Sequence, residues 1–201
     1  MGKNSDITIA VVCGGPGAEA EVSRSSGQGV ASALRATYPH VVVLELDKHI
    51  GTTLGESGAE LVFPVLHGPP GEDGTFQGFL EIIGIPYVGS GVQASAYAMD
   101  KIIAKQIFHS YGLPVAKDVV VGRDEKRSVA AKRITDTLGS RVVVKPSRQG
   151  SAIGVSFPSS FMEIEPALEK AFAHDDRILV EEKISGKEIT VAILRLDDLP
   201  R

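Results

Sequence analysis

The sequence predicts an α/β chain in two parts, a mostly parallel sheet with helical cover followed by a mixed α+β half. Three observations carry this. Short β-branched runs such as Ile7-Thr8-Ile9-Ala10-Val11-Val12-Cys13 are nearly all apolar, as suits strands buried on both faces. Glycine-rich loops follow directly, Gly14-Gly15-Pro16-Gly17 after the first run and Gly68-Pro69-Pro70-Gly71 after the third. Around residues 99–101 that pattern gives way to helices and strands without a regular βαβ period.

In order, the strand over residues 7–13 stops at its glycine turn, and residues 23–36 form a helix with Val30, Ala33 and Leu34 among its small or apolar positions. Residues 41–46 and 61–66 are the second and third strands. Functional loops then fall at the carboxyl ends of the strands, in residues 14–21 and 67–74. A helix over residues 74–83 is stopped by Gly84-Ile85-Pro86, and Tyr87-Val88 makes a short strand. Helices over residues 92–99 and 100–111 follow, the second closed by Gly112 as C-cap with Pro114 just after. The second half reads as a strand over 118–121, a helix over 128–138, strands over 142–144 and 154–157, a helix over 161–173 and a strand over 178–182. The turn Ser185-Gly186-Lys187 leads into a last strand over 188–196. No later element covers that strand pair, so an exposed apolar face is expected, and the sequence reads as the front of a longer protein.

Composition narrows the function. The 201 residues are 43% hydrophobic and carry a net charge of −4, which excludes disorder and makes nucleic acid an unexpected partner. No apolar run reaches the roughly 18 residues of a membrane helix, and the first residues lack the apolar core of a signal peptide, so a soluble, cytoplasmic protein is expected. The single cysteine, Cys13, excludes an internal disulfide and reads as a small core residue. His40, His49, His109 and His174 have no ligand-like spacing and read as surface residues.

Five stretches could carry chemistry. Gly15-Pro16-Gly17-Ala18-Glu19-Ala20 lies between strand and helix like a dinucleotide fingerprint, but Glu19 and Glu21 would face a pyrophosphate with like charge. Carboxylates there suit a ligand ammonium, or simply the start of a helix. In the loop over 67–74, His67 can orient a small substrate, whereas Glu72 and Asp73 read as caps of the next helix. Lys101 and Lys105 share a helix face at i,i+4, where lysines are usually solvated. Val144-Lys145-Pro146-Ser147-Arg148-Gln149-Gly150-Ser151 combines a strand-end lysine with a small-residue loop, either a lid over a nucleotide phosphate chain or a plain hairpin loop. It is neither a Walker A loop nor a nucleophile elbow. Finally, Glu181 and Glu188 flank a turn, where carboxylates can accept from an adenine amino group and ribose hydroxyls, or simply make the charged strand end that is commonplace.

Together these stretches, with Gly84-Ile85-Pro86-Tyr87-Val88-Gly89-Ser90-Gly91 and Met99-Asp100-Lys101, resemble the D-alanine–D-alanine ligase family of the ATP-grasp superfamily. The resemblance runs from about Ile7 to the chain end. It implies a Rossmann-like parallel-sheet domain over residues 1–99, then an incomplete α+β ATP-grasp domain: a central subdomain over 100–182 and the start of a C-terminal subdomain over 183–201. It implies ATP-dependent joining of two D-alanines through an acyl phosphate, for peptidoglycan and hence the cell wall and cell shape. Catalytic roles would fall to Glu19, which holds the first substrate's ammonium, His67 beside its carboxylate, and Ser151, which orients substrate and loop. Lys101 and Lys145 would hold ATP phosphates, Glu181, Lys183 and Ile184 the adenine, and Glu188 the ribose. The family pattern departs at Gly17 and Ala152, where serines are usual. The resemblance also implies a homodimer through the first domain and Mg2+ as a cofactor, with its ligands in a C-terminal part beyond this sequence. If the 201 residues are the whole polypeptide, no ligase turnover is expected, because the γ-phosphate charge would go unneutralised. Two other readings stay open: a non-catalytic nucleotide-binding or dimerising module, and a nicotinamide-dependent oxidoreductase.

Overall fold

A computed structural model describes residues 6–192. Strand β1 (Thr8–Cys13) lies at the centre of a three-stranded parallel sheet in the order β2-β1-β3, where β2 is His40–Glu45 and β3 is Leu61–Pro64. Side chains alternate across a strand, and both faces of β1 are covered. Ile9 and Val11 pack on one side with Ala31 of helix α1 (Ala20–Arg35) and Val41. Ala10 and Val12 pack on the other with Leu54 of α2 (Ile50–Ser57) and Phe76 and Leu80 of α3 (Thr75–Ile83). Two-sided burial is why the run is apolar at almost every position rather than at every second one.

Helix α2 is absent from the sequence reading. Ile50-Gly51-Thr52-Thr53-Leu54-Gly55-Glu56-Ser57 has two glycines and two threonines, all weak helix formers. It forms because Ile50 and Leu54, four residues apart, are buried, and because Gly58 ends it with φ 66°. The predicted strand at Tyr87-Val88 reduces to one parallel bridge between Tyr87 and Val62. Helices α4 (Val92–Met99) and α5 (Lys101–Ser110) follow and meet at Asp100, whose carboxylate caps α5 by accepting from the N–H groups of Ile102 and Ile103.

The second sheet is antiparallel, in the order β4-β6-β5, with β4 Asp118–Gly122, β5 Val142–Pro146 and β6 Arg177–Glu182. Val119, Val121, Val142, Val144, Ile178 and Val180 point to one face and form a core with α6 (Arg127–Leu138) and α7 (Phe161–Phe172). The same alternation sends Asp118, Lys145, Leu179 and Glu181 to the opposite face. One sheet face therefore carries the core and the other the charged groups. The strand predicted over 154–157 is a single antiparallel bridge, Val144 to Ser156. Of the strand predicted over 188–196, residues 188–192 are in neither helix nor strand, and the rest lie outside the described residues. Cys13 is buried and the four other histidines are exposed, as the sequence suggested. Among the described residues no helix is long and apolar enough to cross a membrane.

Candidate functional site

The loop after β1 turns through Gly14 (φ 77°) and Gly15 (φ 100°), a left-handed conformation that side chains rarely adopt. The fully buried Ser23 hydroxyl accepts from the Gly14 N–H (2.8 Å) and donates to the Val65 carbonyl, clamping this loop to the end of the third strand. Glu19 immediately precedes α1 yet its side chain makes no cap bond. Instead its Oε1 accepts from the hydroxyl of Ser151, 132 residues away. Its Oε2 faces two glycines: a Cβ on Gly68 would sit 3.3 Å from it and one on Gly150 3.4 Å. Their missing side chains leave that oxygen open to a small ligand.

The loop between β3 and α3 is held by its own acidic residues. Glu72 accepts from the Gly68 N–H (2.7 Å) and Asp73 from the Thr75 N–H at the start of α3 (3.0 Å), so Glu72 ties the loop and Asp73 caps the helix. His67 differs: its Nε2 is buried without a hydrogen-bond partner among the described residues. A buried ring nitrogen in that state gains from any ligand group that can bond it. Glu21 turns away from the site to pair with Arg24.

The loop after β5 closes over these groups. Ser151 (φ 44°) and Ala152 (φ 59°) hold its apex in a conformation that is costly for residues with a Cβ. Its root is fixed twice. The Ser147 hydroxyl donates to Asp100 (2.6 Å), and its carbonyl accepts from the Lys101 N–H (3.0 Å). The Arg148 N–H and guanidinium bind Asp175, whose side chain is 1% exposed. Lys101, first residue of α5, points its ammonium at the carbonyls of Ser147 (3.3 Å) and Gln149. Burial, and then the positive charge of Lys145 nearby, lower its pKa below the usual lysine value. A cavity of about 370 Å³ lies between the two loops, lined by Glu72, Lys101, Gln149, Gly150 and Ser151 among others.

Lys145 bonds one carboxylate oxygen of Glu181, and Lys105 the other (2.7 Å). Burial alone would raise the Glu181 carboxyl; the two lysines outweigh it and hold it below the usual range. Beyond β6, Ile184 is 69% exposed, and the Lys183 ammonium lies 5.4 Å from the Phe157 ring. Glu188 is exposed, and no hydrogen bond or ion pair joins it to the other groups among the described residues. The structure thus brings Glu19 to Ser151, beside the loop of His67, and Lys101 near Lys145 and Glu181. The sequence assigns no role in the site to Lys105, Asp100 or Asp175. For Lys105 the i,i+4 spacing to Lys101 was the available signal, and its burial against the sheet was not legible.

Two family models match the chain: the D-ala D-ala ligase N-terminus over residues 47–90 and the D-ala D-ala ligase C-terminus over residues 107–200. The D-alanine–D-alanine ligase of Geobacter sulfurreducens is 46% identical over 186 residues, spanning 92% of this chain and 58% of that protein. The crystal structure of the Bacillus anthracis D-alanine–D-alanine ligase superposes with a TM-score of 0.80 at 31% identity, covering 90% of this chain and 58% of that one. The same enzyme complexed with ATP gives a TM-score of 0.77 at 30% identity, covering 90% and 60%. The chain spans about three fifths of the length of the relatives it matches. Its fold is that of the ATP-grasp ligases, and the chain belongs to the D-alanine–D-alanine ligase family.

Proposed function

We propose that this chain serves the ATP-dependent ligation of two D-alanines to D-alanyl-D-alanine, a precursor for peptidoglycan. The observation that carries this is the contact between Glu19 and Ser151, which sets a carboxylate with one open oxygen under the apex of a lysine-rooted loop. Glu19 takes the ammonium of the first D-alanine at Oε2, and the orphaned Nε2 of His67 meets that substrate's carboxylate. One carboxylate oxygen attacks the γ-phosphorus of ATP, the bond to the β,γ-bridging oxygen breaks, and an acyl phosphate and ADP form. The amine of the second D-alanine then attacks the acyl carbon, loses a proton and expels phosphate. Lys101 and Lys145 gather the phosphate chain, and Ser151 shares its hydroxyl between Glu19 and substrate. Such a site works by positioning and charge neutralisation.

The base end of ATP lies against Glu181, Lys183 and Ile184, with the ribose at Glu188. Among the described residues no three His, Cys, Asp or Glu side chains cluster to hold a metal ion, and Mg2+ with ligands from a C-terminal part belongs to the same proposal. The division into domains at residues 99/100 and 182/183, a homodimer through the first domain and a cytoplasmic location belong to the same proposal. Against a dinucleotide at the glycine turn stands Glu45: a Cβ on Gly14 would lie 2.0 Å from its Oε1, which also accepts from the Gly15 N–H (3.2 Å). A carboxylate fills the place of a pyrophosphate.

The test is ADP release from MgATP with and without D-alanine, on the polypeptide at its native length, with the dipeptide identified by mass. D-alanine-dependent release that falls in Glu19→Gln supports the reading. ATP turnover indifferent to D-alanine, or tight NADH binding without ATP binding, refutes it. For the 201 residues alone, ATP binding without D-alanine-dependent release is expected.

A further inference from the structure

Lys105 is used by none of the steps above, yet it is the most completely bonded cation of the site. Its side chain is 12% exposed, and its ammonium donates to Glu181 Oε1 (2.7 Å), Asp118 Oδ1 (2.8 Å) and the carbonyl of Ala116 (2.6 Å). An ammonium has three donors, and all three are engaged, so Lys105 has none to turn toward a phosphate. Asp118 and Glu181 are directly opposite each other on β4 and β6. Two carboxylates in that relation repel unless a cation stands between them. Lys105 is that cation, delivered from α5 onto the sheet face that α6 and α7 leave uncovered.

Glu181 is itself 13% exposed and is held from both sides, by Lys105 on Oε1 and Lys145 on Oε2. A carboxylate offers about four acceptor directions, so two remain for a ligand. The two lysines differ in what else binds them. Lys105 is tied to three groups on two segments, the start of β4 and the end of β6, whereas Lys145 lies beside Lys101 at the root of the loop, where a polyphosphate would draw it away. Glu181 would then keep one partner.

We propose that Lys105 is the positioning residue of the base-recognition end: it holds the Glu181 carboxylate, apart from Asp118, in the orientation that accepts from the exocyclic amino group of a 6-aminopurine, and keeps holding it when Lys145 turns to phosphate. This rests on the reading that Glu181 meets adenine. Without Lys105, Glu181 would swing from Asp118 toward Lys145, taking that lysine from the phosphates and itself from the base.

The experiment is calorimetric binding of ATP and of purine riboside triphosphate, which lacks the 6-amino group, to the 201-residue chain and to variants Lys105→Met, Lys105→Arg and Glu181→Gln, each with its melting temperature. The wild type is expected to prefer ATP by about tenfold or more, the size of one hydrogen bond to a charged group. Lys105→Met should bring that preference to within about twofold, and Lys105→Arg, which keeps charge and donors, should retain most of it. If Lys105→Met does not fold, Lys105→Gln takes its place with the same expected loss. Equal weakening of both nucleotides with the preference intact, while Glu181→Gln abolishes it, overturns the role of Lys105 and leaves the reading of Glu181 standing. An unchanged preference in Glu181→Gln sinks the reading of Glu181, and the role of Lys105 with it.

Discussion

Replacing Asp175 by alanine is the sharpest test of how the site is held. Its carboxylate accepts from the Arg148 N–H (2.8 Å), the Arg148 guanidinium (2.6 Å) and the Asp176 N–H (2.7 Å), with its side chain only 1% exposed. Breaking a fully buried ion pair costs about 3–5 kcal/mol. Here Arg148 is 54% exposed and stays solvated when its partner is lost, so the expected cost is smaller. The lost hydrogen bonds and the stranded backbone N–H groups amount to about 2–3 kcal/mol. In a chain of this size, each kcal/mol moves the melting temperature by about 2–4 °C, so Asp175→Ala should melt roughly 4–12 °C lower near neutral pH. Burial alone would raise this carboxyl, but the bonds from Arg148 and Asp176 hold it below the usual carboxylate range. Its contribution is therefore present above the unfolded value near 3.9 and is lost as pH falls through the lower folded value. Melting curves of the two proteins should accordingly converge as the pH drops from 6 toward 2. A variant that melts within 1 °C of wild type at pH 7, or a gap that stays constant into acid, would falsify this account of the loop root.

Three further outcomes follow from the packing and the site. Leu168 is fully buried in the core of the second sheet, and Leu168→Ala should cost about 2–5 kcal/mol in denaturant unfolding, with a loss below 1 kcal/mol contradicting that core. A Cβ on Gly71 would stand 2.2 Å from the Cβ of Leu66, so Gly71→Ala must displace the loop of His67. It should destabilise by about 1–3 kcal/mol and weaken D-alanine binding more than ATP binding, as calorimetry on both ligands would show. In the polypeptide at its native length, Ser151→Ala removes the hydroxyl bound to Glu19 and should raise KM for D-alanine about tenfold while the melting temperature stays within 2 °C; an unchanged KM would detach the loop apex from the substrate.

The sequence showed the strands most clearly where burial left one solution. The β1 run is apolar because both its faces are covered, and no solvent-facing position interrupts the pattern. Helix α2 was hidden because Gly51, Gly55 and the threonines oppose it locally, and only the docking of Ile50 and Leu54 against the sheet decides it. The bridge at Ser156 looked like a strand because residues 154–157 have strand composition, but a single bridge to β5 is all the antiparallel pairing it makes. Asp73 was legible as a cap of α3, whereas Glu72, expected to cap the same helix, bonds the Gly68 N–H of its own loop instead, a turn geometry that spacing alone does not fix.

The chain's composition and the order of its glycine-rich loops, strand-end lysine and terminal carboxylates determined the family and the cast of charged groups, because local spacing sets which residues lie at strand ends and helix starts. Only the tertiary structure decided who meets whom. Glu19 reaches Ser151 rather than its own helix, and Lys105 lies between Asp118 and Glu181 rather than in water. The physical reason is that these contacts join residues dozens to more than a hundred positions apart, and no local pattern encodes which desolvated charge will find which partner once the chain is folded.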